Sequence, residues 1–181
     1  MKLKSILQKF SLTEIIYLEL EQYTYFLVKY IPGTLGFILR FLFIKLFSKK
    51  LTGMIWIQPG VEFIHVKNIT FGKGVGINTG SYINGVGSIT FSDHVLVGNN
   101  VTISSGKHPT ELNELKIIEI PTIRLPIKIG KGVWIAAGAV IMPGIEIGAD
   151  SVIGANSVVT KHISPNGIYV GAPAKLIKER K

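Results

Sequence analysis

The stretch IGKGVWIAAGAVIMPGIEIGADSVIGANSVV, residues 129–159, returns to an aliphatic side chain at every sixth position: Ile129, Ile135, Ile141, Ile147, Ile153 and Val159. Neither the 3.6-residue period of a helix nor the two-residue period of a strand makes that beat. A short fixed period marks a stacked repeat architecture, and one of six residues predicts a parallel β-helix. Upstream the beat returns in two shorter trains, Phe71, Ile77, Ile83 and then Phe91, Val97, Ile103, with two inserted residues between them. Ile57 and Phe63 begin the series.

Two further positions give the beat a physical reason. Three residues after the aliphatic stand Gly74, Gly80, His94, Asn100, Gly106, Gly132, Gly138, Gly144, Asp150, Asn156 and His162, with Val86 as the exception. These residue types best tolerate positive φ, so each repeat is expected to turn a corner there. Two positions before the next beat the side chain is compact: Val75, Ser81, Val95, Val101, Val133, Ala139, Ile145, Ser151 and Ser157. Only such side chains fit a narrow interior. The hexads read as the sides of a triangular coil, three to a turn, stacked about 4.8 Å apart. The pattern leaves the handedness of the coil open.

Residues 1 to about 50 follow a different rule. A first segment, about 12–30, carries Ile15, Ile16, Leu18, Tyr23, Phe26 and Leu27 and reads as a helix that Pro32-Gly33 ends. A second, 35–50, is apolar over most of its surface, with Arg40 and Lys45 interrupting it and Lys49 and Lys50 closing it. Its apolar run is too short for a bilayer, which needs about 20 residues. A basic, greasy helix of this kind suits either a membrane surface or packing against the coil. The chain therefore divides into helices over 1–50 and a β-helix over 51–181 with a basic tail. The start of the chain is not a good signal peptide, because Glu14, Glu19 and Glu21 interrupt any apolar run.

The 181 residues fit one domain with an appendage, and 47% of them are hydrophobic, enough for a sizeable core. The net charge of +9 suggests an anionic partner such as nucleic acid, anionic lipid or a phosphorylated small molecule. There is no cysteine, which excludes disulfides, thiolate metal sites and a cysteine nucleophile. No Gly-x-Ser-x-Gly elbow, P-loop or Gly-x-Gly-x-x-Gly signature is present.

At Pro109 the beat stops, and it resumes only near Ile129. His108 stands at that departure, on no corner. His94 and His162 occupy corners, where a structural role explains them, and His65 reads as a surface residue of the irregular early coil. The stretches NVTISSGKHP (100–109), GVWI (132–135), VVTK (158–161) and GAPAKLIK (171–178) together resemble the hexapeptide-repeat acyltransferases, over about residues 55–180. Within them the chain is most similar to galactoside/maltose O-acetyltransferases and the related polysaccharide O-acetyltransferases.

The resemblance implies a mainly β fold, a left-handed parallel β-helix with an N-terminal helical segment and a short C-terminal helix. It implies a loop over 109–126 that carries His108 as general base into a cleft between subunits of a homotrimer. It gives Asn84 a place near the acceptor hydroxyl, although Asn84 also reads as a turn asparagine. For acetyl-CoA it implies Trp134, Ala137, Ala155, Thr160, Lys161, Lys175 and Lys178, with the Ala137 N–H toward the oxyanion. Trp134 reads equally well as the edge of the coil. Lysine at 175 and 178, where the family often has arginine, keeps the charge and loses bidentate geometry.

The implied activity is direct acetyl transfer to a sugar hydroxyl of a surface polysaccharide or lipid-linked glycan. The protein would then be cytoplasmic and peripheral at the inner face of the cell membrane. The alternatives are an amino-sugar-nucleotide N-acetyltransferase, an antibiotic acetyltransferase of the streptogramin or chloramphenicol kind, a three-histidine metalloenzyme on the same fold, and a scaffold. A metal site is not expected from His94 and His108, and no nucleic-acid signature is present.

Overall fold

The computed structural model describes residues 11–111 and 116–180. Two helices come first, α1 (Leu12–Val28) and α2 (Gly33–Phe47). Ser11 caps α1: its hydroxyl accepts the Glu14 N–H while the Glu14 carboxylate reaches back to the Ser11 N–H. The second helix stops at Phe47, short of the expected residue 50, because Lys50–Leu51 already pairs as the first strand of the coil.

The remainder is a parallel β-solenoid with three faces, visited in the same order on every turn. The first face stacks Lys50–Leu51, Ile69–Phe71, Ile89–Phe91, Ile127–Ile129 and Glu146–Ile147. The second stacks Trp56–Ile57, Gly76–Ile77, Leu96–Val97, Trp134–Ile135, Val152–Ile153 and Gly167–Val170. The third stacks Glu62–Ile64, Tyr82–Asn84, Thr102–Ser104, Val140–Ile141 and Val158–Val159. Each strand lies in register on the one a turn below, so the six-residue beat becomes columns of identical environment, such as Ile77 on Ile57 and Ile135 on Val97. All the expected aliphatic positions and all nine compact ones are buried. Phe71 and Phe91 stack at 5.4 Å inside the first face.

The corners obey the positive-φ rule at Gly74, Gly80, His94, Asn100, Gly132, Gly138, Gly144, Asp150 and Asn156. They depart from it where the coil itself is interrupted. Gly106 enters an antiparallel pairing and is not left-handed. His162 is not left-handed either, since the shortened last turn moves that conformation to Asn166. In the turn holding Val86 the left-handed residue is Ser88.

The two inserted residues recur. Phe63 and Phe71 are eight apart, as are Ile83 and Phe91, so the early turns have their surplus at one corner, between the third face and the first. Residues 65–68 and 85–88 fill it, the former as the 3-10 turn Val66–Asn68 preceded by His65 at φ 59°.

The helices share the core of the coil. Tyr25, Phe43 and Ile44 are buried in one cluster with Ile55, Val61 and Phe63, and the Tyr25 hydroxyl donates to the Val61 carbonyl at 2.9 Å. Arg40, 2% exposed, donates to the carbonyls of Ile57 (2.9 Å) and Ile31 (2.7 Å), tying helix junction to coil. Burying a guanidinium is costly, and these carbonyls are the partners that make it tolerable.

The expected short C-terminal helix is not formed. Gly171, at φ 99°, turns the chain back, and Lys175–Glu179 runs antiparallel to Gly167–Val170. The last strand of the second face would otherwise expose a row of unpaired N–H and C=O groups. Pairing them outweighs the helical preference of Lys-Leu-Ile-Lys-Glu.

Candidate functional site

The chain leaves the coil at Ser105, which is buried and holds the exit through four hydrogen bonds to three residues. Its N–H and hydroxyl both donate to the Asn84 carbonyl (3.0 and 2.9 Å), its hydroxyl accepts the Gly87 N–H (2.8 Å), and its carbonyl accepts the Leu125 N–H (2.8 Å). Outgoing Gly106–Lys107 then pairs with returning Ile123–Arg124, so the excursion is closed at its base. The departure thus begins at Gly106, three residues before the expected 109. His108 is the first residue beyond that base and is exposed. Glu114, expected within the loop, lies outside the described residues.

Between loop and coil lies a cavity of about 660 Å³, lined by His65, Asn84, His108, Ile118, Ile120 and Arg124 among others. It occupies the same corner at which the early turns are longer than the repeat requires. His108 and Asn84 therefore line one cavity. His65 joins them, against the expectation of a plain surface residue: it is half-buried, and its Nδ1 lies 3.2 Å from Asn84 Oδ1. The signal for it was the second eight-residue spacing, which sets residues 65 and 85–86 at one corner.

Asn84 is held by its surroundings. Its Oδ1 accepts the Val86 N–H at 3.1 Å, and its Nδ2 donates to the Tyr82 hydroxyl at 3.3 Å. Beneath His65, Glu21 of α1 accepts the Val66 N–H at 3.0 Å, so the helix fixes the turn that presents the imidazole. Glu21 is wholly buried, and that burial raises its carboxyl above the ordinary range despite the backbone donors around it. Burial likewise lowers the His65 imidazole, opposed by its Asn84 contact and assisted by the charges of Lys67 and Arg124.

The other histidines stay away from the cavity. His94 is exposed at its corner, and the His162 Nδ1 accepts the Glu146 N–H at 3.0 Å.

The residues expected to meet acetyl-CoA lie elsewhere on the same chain. Ala137 and Ala155 stack on successive turns at the corner between the second and third faces, joined by the Asn156 N–H to the Ala137 carbonyl (2.9 Å). Both are exposed. Gly98 sits below them, and a Cβ there would come within 2.7 Å of the Ala137 nitrogen, so a side chain is excluded. Trp134 is 48% exposed on the second face, between Leu96 and Val152. Thr160 and Lys161 follow the last strand of the third face, and Lys175 and Lys178 lie on the antiparallel terminal strand. Within one chain, then, the His108 cavity and the Ala137–Ala155 column flank opposite ends of the third face.

The bacterial transferase hexapeptide (six repeats) family matches residues 126–161. Galactoside O-acetyltransferase of Escherichia coli K12 is 40% identical over 124 residues, 68% of this chain and 60% of that protein. The chain thus spans about 60% of the length of that relative. Among solved structures, a galactoside acetyltransferase in complex with coenzyme A superposes with a TM-score of 0.87 and 29% identity, covering 100% of this chain and 92% of the other. A hexapeptide-repeat acetyltransferase of Vibrio cholerae O1 biovar eltor, complexed with acetyl coenzyme A, superposes at 0.85 with 26% identity, over 94% and 91% of the two chains.

Proposed function

This chain belongs to the hexapeptide-repeat acyltransferases, and from that premise we propose that it transfers an acetyl group from acetyl-CoA to a sugar hydroxyl. One observation carries the reading: His108 leaves the coil into a cavity that already holds Asn84. Relatives solved with coenzyme A or acetyl coenzyme A support the donor.

The chemistry needs one base and one oxyanion donor. The sugar oxygen attacks the thioester carbonyl carbon while a neutral His108 takes the hydroxyl proton. The carbonyl oxygen becomes an oxyanion, toward which the Ala137 N–H is the donor. Among the described residues that N–H donates to no backbone carbonyl. Collapse of the tetrahedral species breaks the carbon–sulfur bond, and the coenzyme leaves as the thiol with the proton returned. No covalent enzyme intermediate is required, since the thioester is already activated, and a chain without cysteine suits that route.

The donor would lie along Trp134, Ala155, Thr160 and Lys161, with Lys175 and Lys178 toward its phosphates. Because Ala137 and Ala155 flank the end of the third face opposite to His108, the site is best formed between neighbouring protomers of a homotrimer. The acceptor is a surface polysaccharide or lipid-linked glycan, and the outer face of the helical hairpin rests on the membrane surface. No described helix is long and apolar enough to cross a membrane. The outer face does expose Tyr23, Phe26 and Leu27, each about 70% accessible.

The test is thiol release from acetyl-CoA across a panel of sugars and lipid-linked glycans. His108→Ala should lose turnover by about 10²-fold or more while retaining coenzyme binding. Equal turnover in that variant would count decisively against the reading.

A further inference from the structure

The contact between His65 and Asn84 determines which nitrogen of His65 carries the proton. Amide oxygen and nitrogen are interchangeable in position until a partner of known polarity distinguishes them. Here the Val86 N–H, which can only donate, points at Asn84 Oδ1 at 3.1 Å, so that atom is the oxygen. The Tyr82 hydroxyl at 3.3 Å from Nδ2 is satisfied by the same assignment. An amide oxygen only accepts. His65 Nδ1, 3.2 Å from it, must therefore be the donor. A neutral imidazole has one N–H and one lone pair, so Nε2 is left bare.

The backbone supports this assignment. His65 is left-handed at φ 59°, a conformation histidine accepts, and it opens a 3-10 turn whose next N–H is held by buried Glu21. Turn, tautomer and ring position are thus fixed from beneath by α1 and from the side by Asn84. Burial favours the neutral ring, against the hydrogen bond to Asn84 and with the neighbouring charges of Lys67 and Arg124.

We propose that His65 is an acceptor-binding residue: with Nδ1–H committed to Asn84, its Nε2 lone pair receives a hydroxyl hydrogen of the acceptor in the cavity it shares with His108. This rests on the reading of the site as an acetyl acceptor site. It divides the labour of the two imidazoles. His108, on the loop, removes the proton of the reacting hydroxyl, while His65, on the rigid coil, takes a hydrogen bond from a different hydroxyl and sets which one faces His108. A polyol such as a sugar ring offers both hydroxyls, whereas an acceptor with a single hydroxyl cannot use both sites.

Two measurements test it. Nitrogen-15 spectra of histidine-labelled protein report which ring nitrogen is protonated, with no substrate present. The Nδ1–H form at His65 is expected, and the Nε2–H form overturns the proposal. His65→Asn then keeps the left-handed turn and an amide within reach of Asn84 but removes the Nε2 position. For a polyol acceptor its KM should rise about tenfold, as for loss of one hydrogen bond, with kcat and the KM for acetyl-CoA little changed. An unchanged acceptor KM overturns the proposal, as does a collapse of kcat alone, which would make His65 the base. If the wild type acetylates no sugar in the panel, the functional reading fails instead, and the tautomer measurement still decides the His65–Asn84 arrangement.

Discussion

Glu21 is the one carboxyl that the helices bury completely, and its Oε1 has no partner among the described residues. Its raised pKa ties stability to pH in a definite direction. Below the ordinary value near 4.5 the group is protonated whether folded or unfolded. As pH climbs past that value the unfolded chain ionises first, so the folded state loses its advantage until the folded pKa is passed. Glu21→Gln lacks this loss and keeps an oxygen for the Val66 N–H. The melting temperature of the variant relative to wild type should therefore rise between pH 4 and pH 7, read from thermal melts across that range. Parallel curves for the two proteins would mean that Glu21 does not titrate abnormally. At this scale sequence reading was uneven. His108 was legible because it broke a period, and Asn84 because a resemblance pointed to it. His65 was not, because its role comes from two eight-residue spacings stacking one corner on another. Glu21 could be read only as a charge interrupting an apolar run, since its partner lies 45 residues away.

The elements of the coil were far more legible than the helices. Within the coil every position repeats, so residue type and environment can be matched over many turns, and one rule covers nine corners. The rule failed at Gly106 and His162, where a loop and a shortened turn break the repeat, and at the tail strand pairing overrides local helical preference. For the helices, composition could say that they are apolar and basic without saying what they face. The structure divides their residues. Tyr25, Phe43 and Ile44 close the end of the coil, while Leu12, Ile16, Leu20, Tyr23, Phe26 and Leu27 of α1 and Leu35, Ile38, Leu42 and Leu46 of α2 face outward. Their spacing of three and four residues makes an apolar stripe on each helix. Lys45, Lys49 and Lys50 are exposed at the end of α2. Removing residues 1–50 would uncover the coil core and is a poor test of membrane binding. Phe26→Ser with Leu27→Ser alters only exposed side chains, so it should leave the melting temperature nearly unchanged. It should weaken sedimentation with vesicles containing anionic lipid by about tenfold or more, as expected for two lost apolar anchors. Equal binding by the double variant would remove Phe26 and Leu27 from any membrane contact.

At the scale of the whole molecule, a solenoid with parallel strands on three sides separates its corners by the width of a face. One chain holds its Ala137–Ala155 column and its His108 at opposite ends of the third face. A second copy brings column and histidine together if the third face of one protomer packs beside its neighbour, and cyclic repetition of one such heterologous contact closes a ring. This arrangement makes a sharp prediction. His108→Ala removes the proposed base, and Ala155→Trp places a bulky ring on an exposed corner of the proposed coenzyme groove. Each variant alone should be inactive. If a working site takes its histidine from one protomer and its groove from the next, trimers reassembled from an equal mixture should recover about a quarter of wild-type activity. That is the chance that the two protomers meeting at a site each contribute an intact half. Sites built within one chain recover nothing, because every chain in the mixture carries one lesion. The same mixture separated before reassembly is the control, and light scattering on each variant must first show the wild-type mass. The apparent KM for acetyl-CoA in the active fraction should equal that of wild type, since every working groove is intact. A recovered activity with a raised KM would mean instead that the Ala155→Trp groove still admits the coenzyme, and that the working sites are not the intact pairs this arrangement requires.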